Sequence, residues 1–414
     1  MPDSEATTLT PSPASVSADA GPKPKNEIWQ RWQESFLAGF AVWAIGLVTY
    51  YVVTAVSWLP TEDLTSKAGA PPATFGELLS SWHRWDTTWY VIIADFGYHF
   101  DGNSTAFFPL YPMLVRGANY VVAGGSFEAA IVVSLIACLA ALVMMHRLSA
   151  EMLGRADARR ATFYLLAFPT GFYLVAAYTE SLFLALAIGS LYWMRRGHWW
   201  WAGVLGAFAS ATRMAGVMLA AAFAYEYLRQ RGFSWRKVRF DALGIALVPA
   251  GLGVYMAYLA VSFGDPFRFL KSQEVWFHYG YTNPLTTIKD VFLLIHRTEP
   301  LYGPTTVRNI INLTAALGVL VILALVLAGP WRLGADHAYL VIFAAIVILM
   351  PLSNPIRAHY PLSSMWRFAL ECTVVFMWLA RRGRNHTFDR AYLAIALALQ
   401  GAMVVTFVQN QFVA

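Results

Sequence analysis

Two carboxylates nine residues apart, set among aromatics, mark where this chain could do chemistry. The run His83-Arg84-Trp85-Asp86-Thr87-Thr88-Trp89-Tyr90 leads through Ile92 and Ala94 to Asp95, Phe96 and Gly97. A positioned carboxylate is a natural general base for a hydroxyl. If residues 81–98 are helical, Asp86, Tyr90, Ile93 and Gly97 share one face, while Asp95 lies about 180° around the axis. One straight helix cannot aim both acids at one site. Asp86 is therefore the candidate base, with Arg84, Trp85, Trp89 and Tyr90 as candidate substrate contacts. Asp95 is structural or meets an acceptor from another direction. The competing reading is plain capping, because Trp-Asp-Thr-Thr has helix N-cap chemistry.

Cations form the second candidate set. Arg213 and Arg367 stand at or inside the ends of apolar runs, where a guanidinium is costly and marks function by default. It either snorkels to lipid phosphate or grips a ligand phosphate through two parallel hydrogen bonds. Arg357 and His359 fall on the same rim and complete a candidate phosphate-binding group. Glu180 follows Thr179 at a turn between apolar runs. It reads as a first-turn acid with Thr179 as capping partner, or as a substrate contact. After the turn signal Gly264-Asp265-Pro266 comes an interfacial segment with Arg268, Lys271 and Gln273 on its polar side and Trp276 among its apolar members. Gln273 and Trp276 join the candidate substrate set. No cluster demands a metal ion, and no P-loop, dinucleotide fingerprint or HExxH is present. Cys138 and Cys372 fall inside apolar runs and read as packing.

The elements that must hold these residues are membrane helices. Of 414 residues, 58% are hydrophobic and 13% charged, against about 25% charged in soluble domains. Continuous apolar runs, not period-2 alternation, exclude a β-barrel. The net charge of +6 does not point to nucleic acid, because its arginines cluster at the ends of apolar runs as the positive-inside bias expects. Residues 1–27 read as a disordered cytoplasmic tail with no signal-peptide core. Spans are expected near 36–59, 127–146, 161–177, 181–194, 200–213, 215–228, 241–262, 309–328, 337–352, 364–380 and 391–410, about eleven in a single domain over 28–414. The segment 107–124 is expected to lie on the membrane surface, since a span there would put Arg147, Arg155, Arg159 and Arg160 outside. Two external loops result, 60–126 and 263–308. The candidate residues then gather on one side of the bilayer.

The residues 84–98 and 106–112, together with 168–183, Thr212 to Gly216, Phe263 to Pro266 and Trp366 to Phe368, resemble in order the PIG-V family of mannosyltransferases, within the GT-C glycosyltransferase superfamily. The resemblance implies an all-α polytopic fold with a large first extracytoplasmic loop carrying juxtamembrane helices and a catalytic carboxylate, which falls on Asp86. It implies a polyprenyl- or dolichyl-phosphate-linked sugar donor, usually mannose, inverting transfer, and a glycolipid or membrane-associated glycan as acceptor. No obligatory cofactor is expected, since no nucleotide leaves. Glucose, arabinose or galactose are alternative sugars. A non-catalytic scaffold is a further reading. A lipid transporter or flippase would predict facing polar residues at mid-membrane and repeated halves, which are not seen. The compact chain favours a prokaryotic plasma membrane over the endoplasmic reticulum.

Overall fold

A computed structural model describes residues 25–59, 71–276, 280–356 and 359–413. Arg357 and residues 1–24 of the expected tail lie outside them. The long first helix, α1 (Lys25–Val56), is followed by the short α2 (Phe75–Ser80), α3 (Asp86–Phe96) and α4 (Leu110–Ala118). Next come α5 (Ser126–Leu153), α6 (Arg155–Ala167), α7 (Glu180–Arg195), α8 (Trp199–Ser210) and α9 (Leu219–Gln230). A bent pair, α10 (Gly244–Leu247) and α11 (Ala250–Phe263), leads into α12 (Arg268–Ser272) and α13 (Pro284–Arg297). The chain closes with α14 (Pro304–Leu327), α15 (Ala338–Ser353), α16 (Met365–Leu370), α17 (Thr373–Arg382) and α18 (His386–Val408). The described residues form no strand element.

Among the described residues five helices are long and apolar enough to cross a membrane: Glu27–Val56, Ser126–Leu153, Pro304–Leu327, Ala335–Ser353 and His386–Val408. The pair Phe240–Leu247 and Ala250–Phe263, bent by 47°, passes the same test when its two halves are taken as one span. Pro249 sits at the break, where it lacks the N–H a continuous helix would use. The remaining expected spans are shorter than the roughly 20 residues of a full crossing. The expected 161–177 is helical only to Ala167 and continues as a 3₁₀ turn, Gly171–Leu174. The expected 215–228 opens in another, Met214–Met218. The expected 364–380 is broken between α16 and α17. Each break falls at the same end of the bundle. Non-helical backbone is tolerated at membrane depth only where protein buries it, and residues 169–181 are all buried.

Helix α5 is central, packing on α1, α4, α6 and α7. Small residues let backbones approach, as in membrane bundles generally. At Gly216 an added methyl would run into the backbone of Ala209 and Ser210. The expected surface segment 107–124 is represented by α4, nine residues long, with Tyr111 and Val115 buried and Met113 and Leu114 exposed.

Candidate active site

Helix α3 begins at Asp86 itself, and the residue before it, Trp85, takes φ 51° and ψ −114°. A bulky side chain in that region is strained, and such strain persists only where surroundings enforce it. They do so here. Arg84 Nη2 donates to the Val408 carbonyl at 3.0 Å, Tyr178 OH donates to the Arg84 carbonyl at 3.1 Å, and the Trp85 ring meets Phe412 edge to face at 5.4 Å. The capping reading of Asp86 is corrected. Trp85 holds the cap position with no side-chain bond, and the Asp86 carboxylate turns to Arg367.

From Asp86 runs an alternating chain of acids and arginines. Asp86 Oδ2 accepts from Arg367 Nη1 at 3.0 Å. Glu180 Oε1 accepts from Arg367 Nε at 2.7 Å and Nη2 at 2.6 Å. The same oxygen lies 2.8 Å from Arg213 Nη1, and Arg213 Nη2 lies 3.1 Å from Glu371 Oε1. Glu180 and Glu371 are fully buried, Arg367 and Arg213 are 11% and 15% exposed, and Asp86 is 29% exposed. Aromatic faces complete the packing, with the Arg367 guanidinium 4.9 Å from the ring centres of Tyr173 and Tyr178. Neither arginine snorkels to solvent. The two guanidiniums are shared among three carboxylates.

Asp86 faces a cavity of about 840 Å³. Arg213, Arg367, Tyr90 and Gln273 line it too, as does Lys271. Apolar walls come from Phe107, Phe108, Phe269, Leu270, Met350 and Phe368. Glu180 and Glu371 stand behind the lining and hold the arginines from within. Burial, and then the nearby Asp86 carboxylate, hold the Tyr90 phenol well above its ordinary pKa, so it stays a donor; its oxygen is 3.4 Å from Thr179 Oγ1. Thr179 accepts from Arg213 Nη1 at 3.3 Å instead of capping α7.

Other sequence candidates lie around this centre. Asp95 turns away, taking a short hydrogen bond from Ser126 Oγ at the start of α5. Trp89 stacks on Phe107 at 5.6 Å, backing the cavity wall. Arg84 and Trp85 are spent on the C-terminal residues described above. His359 lines a neighbouring cavity of about 640 Å³ with Asp290 and Thr282, sharing the wall residues Ile356 and Pro361 with the main one. Trp276 closes the helical turn Gln273–Trp276, and Arg357 is outside the described residues. Sequence reasoning missed Glu371 and the cavity position of Lys271. A carboxylate inside the apolar run 364–380 was the available signal for the first. Among the described residues no three His, Cys, Asp or Glu side chains group as metal ligands.

An all-α polytopic membrane protein with a buried acid–arginine chain at one end of its bundle is thus defined. A profile of the family described as Mannosyltransferase (PIG-V) matches residues 66–238. The chain is 30% identical over 217 residues to GPI alpha-1,6-mannosyltransferase 2 of Rattus norvegicus, covering 50% of this chain and 41% of the relative. It is 31% identical over 154 residues to the Cricetulus griseus protein of the same name, covering 34% and 30%. The chain thus spans less than half the length of these relatives. Among solved structures it is similar to ArnT from Cupriavidus metallidurans bound to undecaprenyl phosphate, at 13% identity and a TM-score of 0.48 over 89% of this chain and 76% of that one. It is also similar to the Archaeoglobus fulgidus oligosaccharyltransferase, at 11% identity and a TM-score of 0.44 over 90% and 55%.

Proposed function

We propose that this protein transfers a mannose, with inversion, from a polyprenyl- or dolichyl-phosphate-linked donor to a hydroxyl of a glycolipid or membrane-associated glycan on the extracytoplasmic side. The observation that carries the reading is positional. Of the three carboxylates in the chain, Asp86 is the one that lines the cavity, so it is the one an acceptor hydroxyl can reach. Asp86 takes the hydroxyl proton while the acceptor oxygen attacks the anomeric carbon. The bond from that carbon to the donor phosphate oxygen breaks, and its electron pair leaves with the lipid phosphate. Attack on one face without a covalent intermediate inverts the centre. Arg367 orients Asp86, and the developing phosphate charge is met by the cationic side chains of the cavity, so the step as proposed uses no metal ion.

Lys271 is the accessible cation of that set. It is 71% exposed and paired at 2.6 Å with Asp265 on the surface, a pairing of little net worth. Arg213 and Arg367 would have to leave buried carboxylates to take the phosphate alone. The test is transfer by the purified protein from polyprenyl-phosphate mannose to a glycolipid acceptor. Asp86→Asn should lower turnover by about 10²–10⁴-fold, the usual contribution of a general base, with the fold intact. Retained turnover removes Asp86 from the role. Donors carrying glucose, arabinose or galactose, run in parallel, identify the sugar.

A further inference from the structure

The end of the bundle opposite the acid–arginine chain holds a second polar cavity that the proposed chemistry does not use. It has a volume of about 490 Å³ and lies among α1, α5, the start of α6 and the end of α7. Glu180 opens α7 and Arg195 closes it, at the two ends of a 16-residue helix, so the two sites are separated by about 22 Å of helix. Five arginines line this cavity: Arg31, Arg147, Arg155, Arg195 and Arg196. Only two acids do, Glu34 and Glu151, leaving a formal surplus of three positive charges on the wall.

The acids are spread thin. Glu151 Oε1 takes Arg147 Nη2 at 2.6 Å and Arg196 Nη1 at 3.1 Å. Glu34 takes Arg155 Nε at 3.1 Å and Arg159 Nη2 at 3.6 Å. Asp336, just outside the cavity, takes Arg195 Nη2 at 3.4 Å and Arg229 Nη1 at 2.7 Å. Arg31 meets Glu27 at 3.5 Å. Three carboxylates thus each serve two guanidiniums, whereas at the other end two guanidiniums serve three carboxylates. A guanidinium carries five N–H donors, so an added anion would find donors to spare. His146, 1% exposed, also lines the cavity; its Nδ1 is 3.0 Å from Ser35 Oγ and its Nε2 has no partner.

A second feature fixes the kind of anion. Glu34 also borders an adjoining cavity of about 550 Å³, lined along α1 by Leu37, Ala38, Ala41 and Val42. Beside it α1 exposes Phe36 and Phe40, where a spanning helix meets lipid. A basic chamber opening beside an apolar groove matches a phosphate head joined to an acyl chain. We propose that these two cavities bind an anionic phospholipid, its phosphate among Arg155, Arg195 and Arg196 and one acyl chain along Leu37 to Val42. The positive-inside bias accounts for arginines at this end. It requires neither a cavity nor an arginine as enclosed as Arg147, which is 5% exposed.

The test uses the full chain in detergent, with phosphatidylglycerol and phosphatidylcholine supplied at equal concentration and retention read by native mass spectrometry. Wild type should retain phosphatidylglycerol selectively and unfold at a higher temperature with it. Arg155→Ala with Arg196→Ala should weaken that retention about 30-fold, the effect of two cations at an anionic headgroup. Both side chains are distant from the transfer site, so mannosyl transfer itself is not the readout. Glu34→Gln removes a competing acid and should tighten retention, which keeps the test informative if the double variant does not fold. Equal retention of the two lipids, unchanged retention in the double variant, or weakened retention in Glu34→Gln each overturns the proposal. So does inorganic phosphate raising the unfolding temperature as far as phosphatidylglycerol does, which would make this a free-phosphate site.

Discussion

Glu180→Gln is the change that interrogates the acid–arginine chain most directly. Glu180 is fully buried and its Oε1 lies within 2.8 Å of nitrogen atoms on both Arg213 and Arg367. The amide keeps shape and one acceptor oxygen but removes the charge that joins the two arginines. The chain of five groups then splits into two pairs, Asp86 with Arg367 and Glu371 with Arg213. Removing one partner of a buried ion pair costs about 3–5 kcal/mol, because the charge left behind stays desolvated. Here each arginine retains one carboxylate, so the lower end, about 3 kcal/mol, is expected. A further loss of about 0.3–1 kcal/mol follows from deleting an acid at the first turn of α7. The assay is thermal unfolding of the purified protein beside mannosyl transfer. Both should fall, and Arg213→Met placed on Glu180→Gln should cost less than on wild type, with a coupling of about 0.5–3 kcal/mol. Full additivity, or an unfolding temperature and turnover equal to wild type, would refute the view that Glu180 holds the two guanidiniums together.

Three further outcomes are expected. Lys271→Met should raise the donor KM and also lower kcat, because a cation at the leaving phosphate binds the donor and meets the charge that develops on it in the transition state; an unchanged kcat/KM removes Lys271 from the donor site. Gly216→Ala should destabilise the protein strongly, since its Cβ would meet backbone atoms of Ala209 and Ser210 that cannot move aside as a flexible side chain would; wild-type thermal stability would show that the contact relaxes. His83, stacked on Phe127 at 4.8 Å, has its pKa lowered first by burial and then by Arg84. The unfolded chain therefore takes up that proton at a higher pH than the folded one. The contribution of His83 is fully present above the ordinary histidine value of about 6.5 and declines as pH falls through it. His83→Phe keeps the stack and should flatten the loss of unfolding temperature between pH 7 and 5; an identical pH profile would rule the histidine out as its source.

What the sequence discloses here depends on whether the physics is local. Helical periodicity alone separates Asp86 from Asp95, and the structure turns one to the cavity and the other to Ser126. The cost of an arginine in an apolar run singles out Arg213 and Arg367 without knowledge of their neighbours. Their partners are another matter. Arg367 reaches Glu180 across 187 positions and Asp86 across 281, and nothing local predicts such pairings. Glu371 was visible as an acid in an apolar run, yet its meaning comes only from Arg213. The expected spans 161–177, 215–228 and 364–380 are not continuous helices, for a related reason. Hydropathy reports that a stretch is buried, whereas the break after Ala167 has the Leu166 and Phe168 carbonyls taken by Tyr50 and Gln400, and the breaks before Leu219 and between Leu370 and Thr373 are closed by local turn bonds. The strained Trp85 was equally hidden, because Val408 and Phe412 enforce it from the far end of the chain.

The break after Ala167 helps to build the site. A continuous helix presents side chains but no free backbone ends, so a spanning helix cannot by itself place an acid at its first turn within the protein. The interruption after Ala167 creates a new N-terminus at Glu180, and the short helix α3 of the loop before α4 supplies another at Asp86, so each acid occupies the first position of a helix. Negative charge is favoured at that position by the helix dipole, which offsets part of the cost of burial. The arginines then neutralise two of three acids, leaving the surplus formally at the cavity-lining member. In the proposed step Asp86 gains the acceptor's proton, which brings the five-group chain to formal neutrality, while the charge released onto the lipid phosphate appears outside it, beside Lys271. The two halves of the charge movement are thereby kept apart: the buried chain absorbs the proton, and the accessible lysine meets the leaving group.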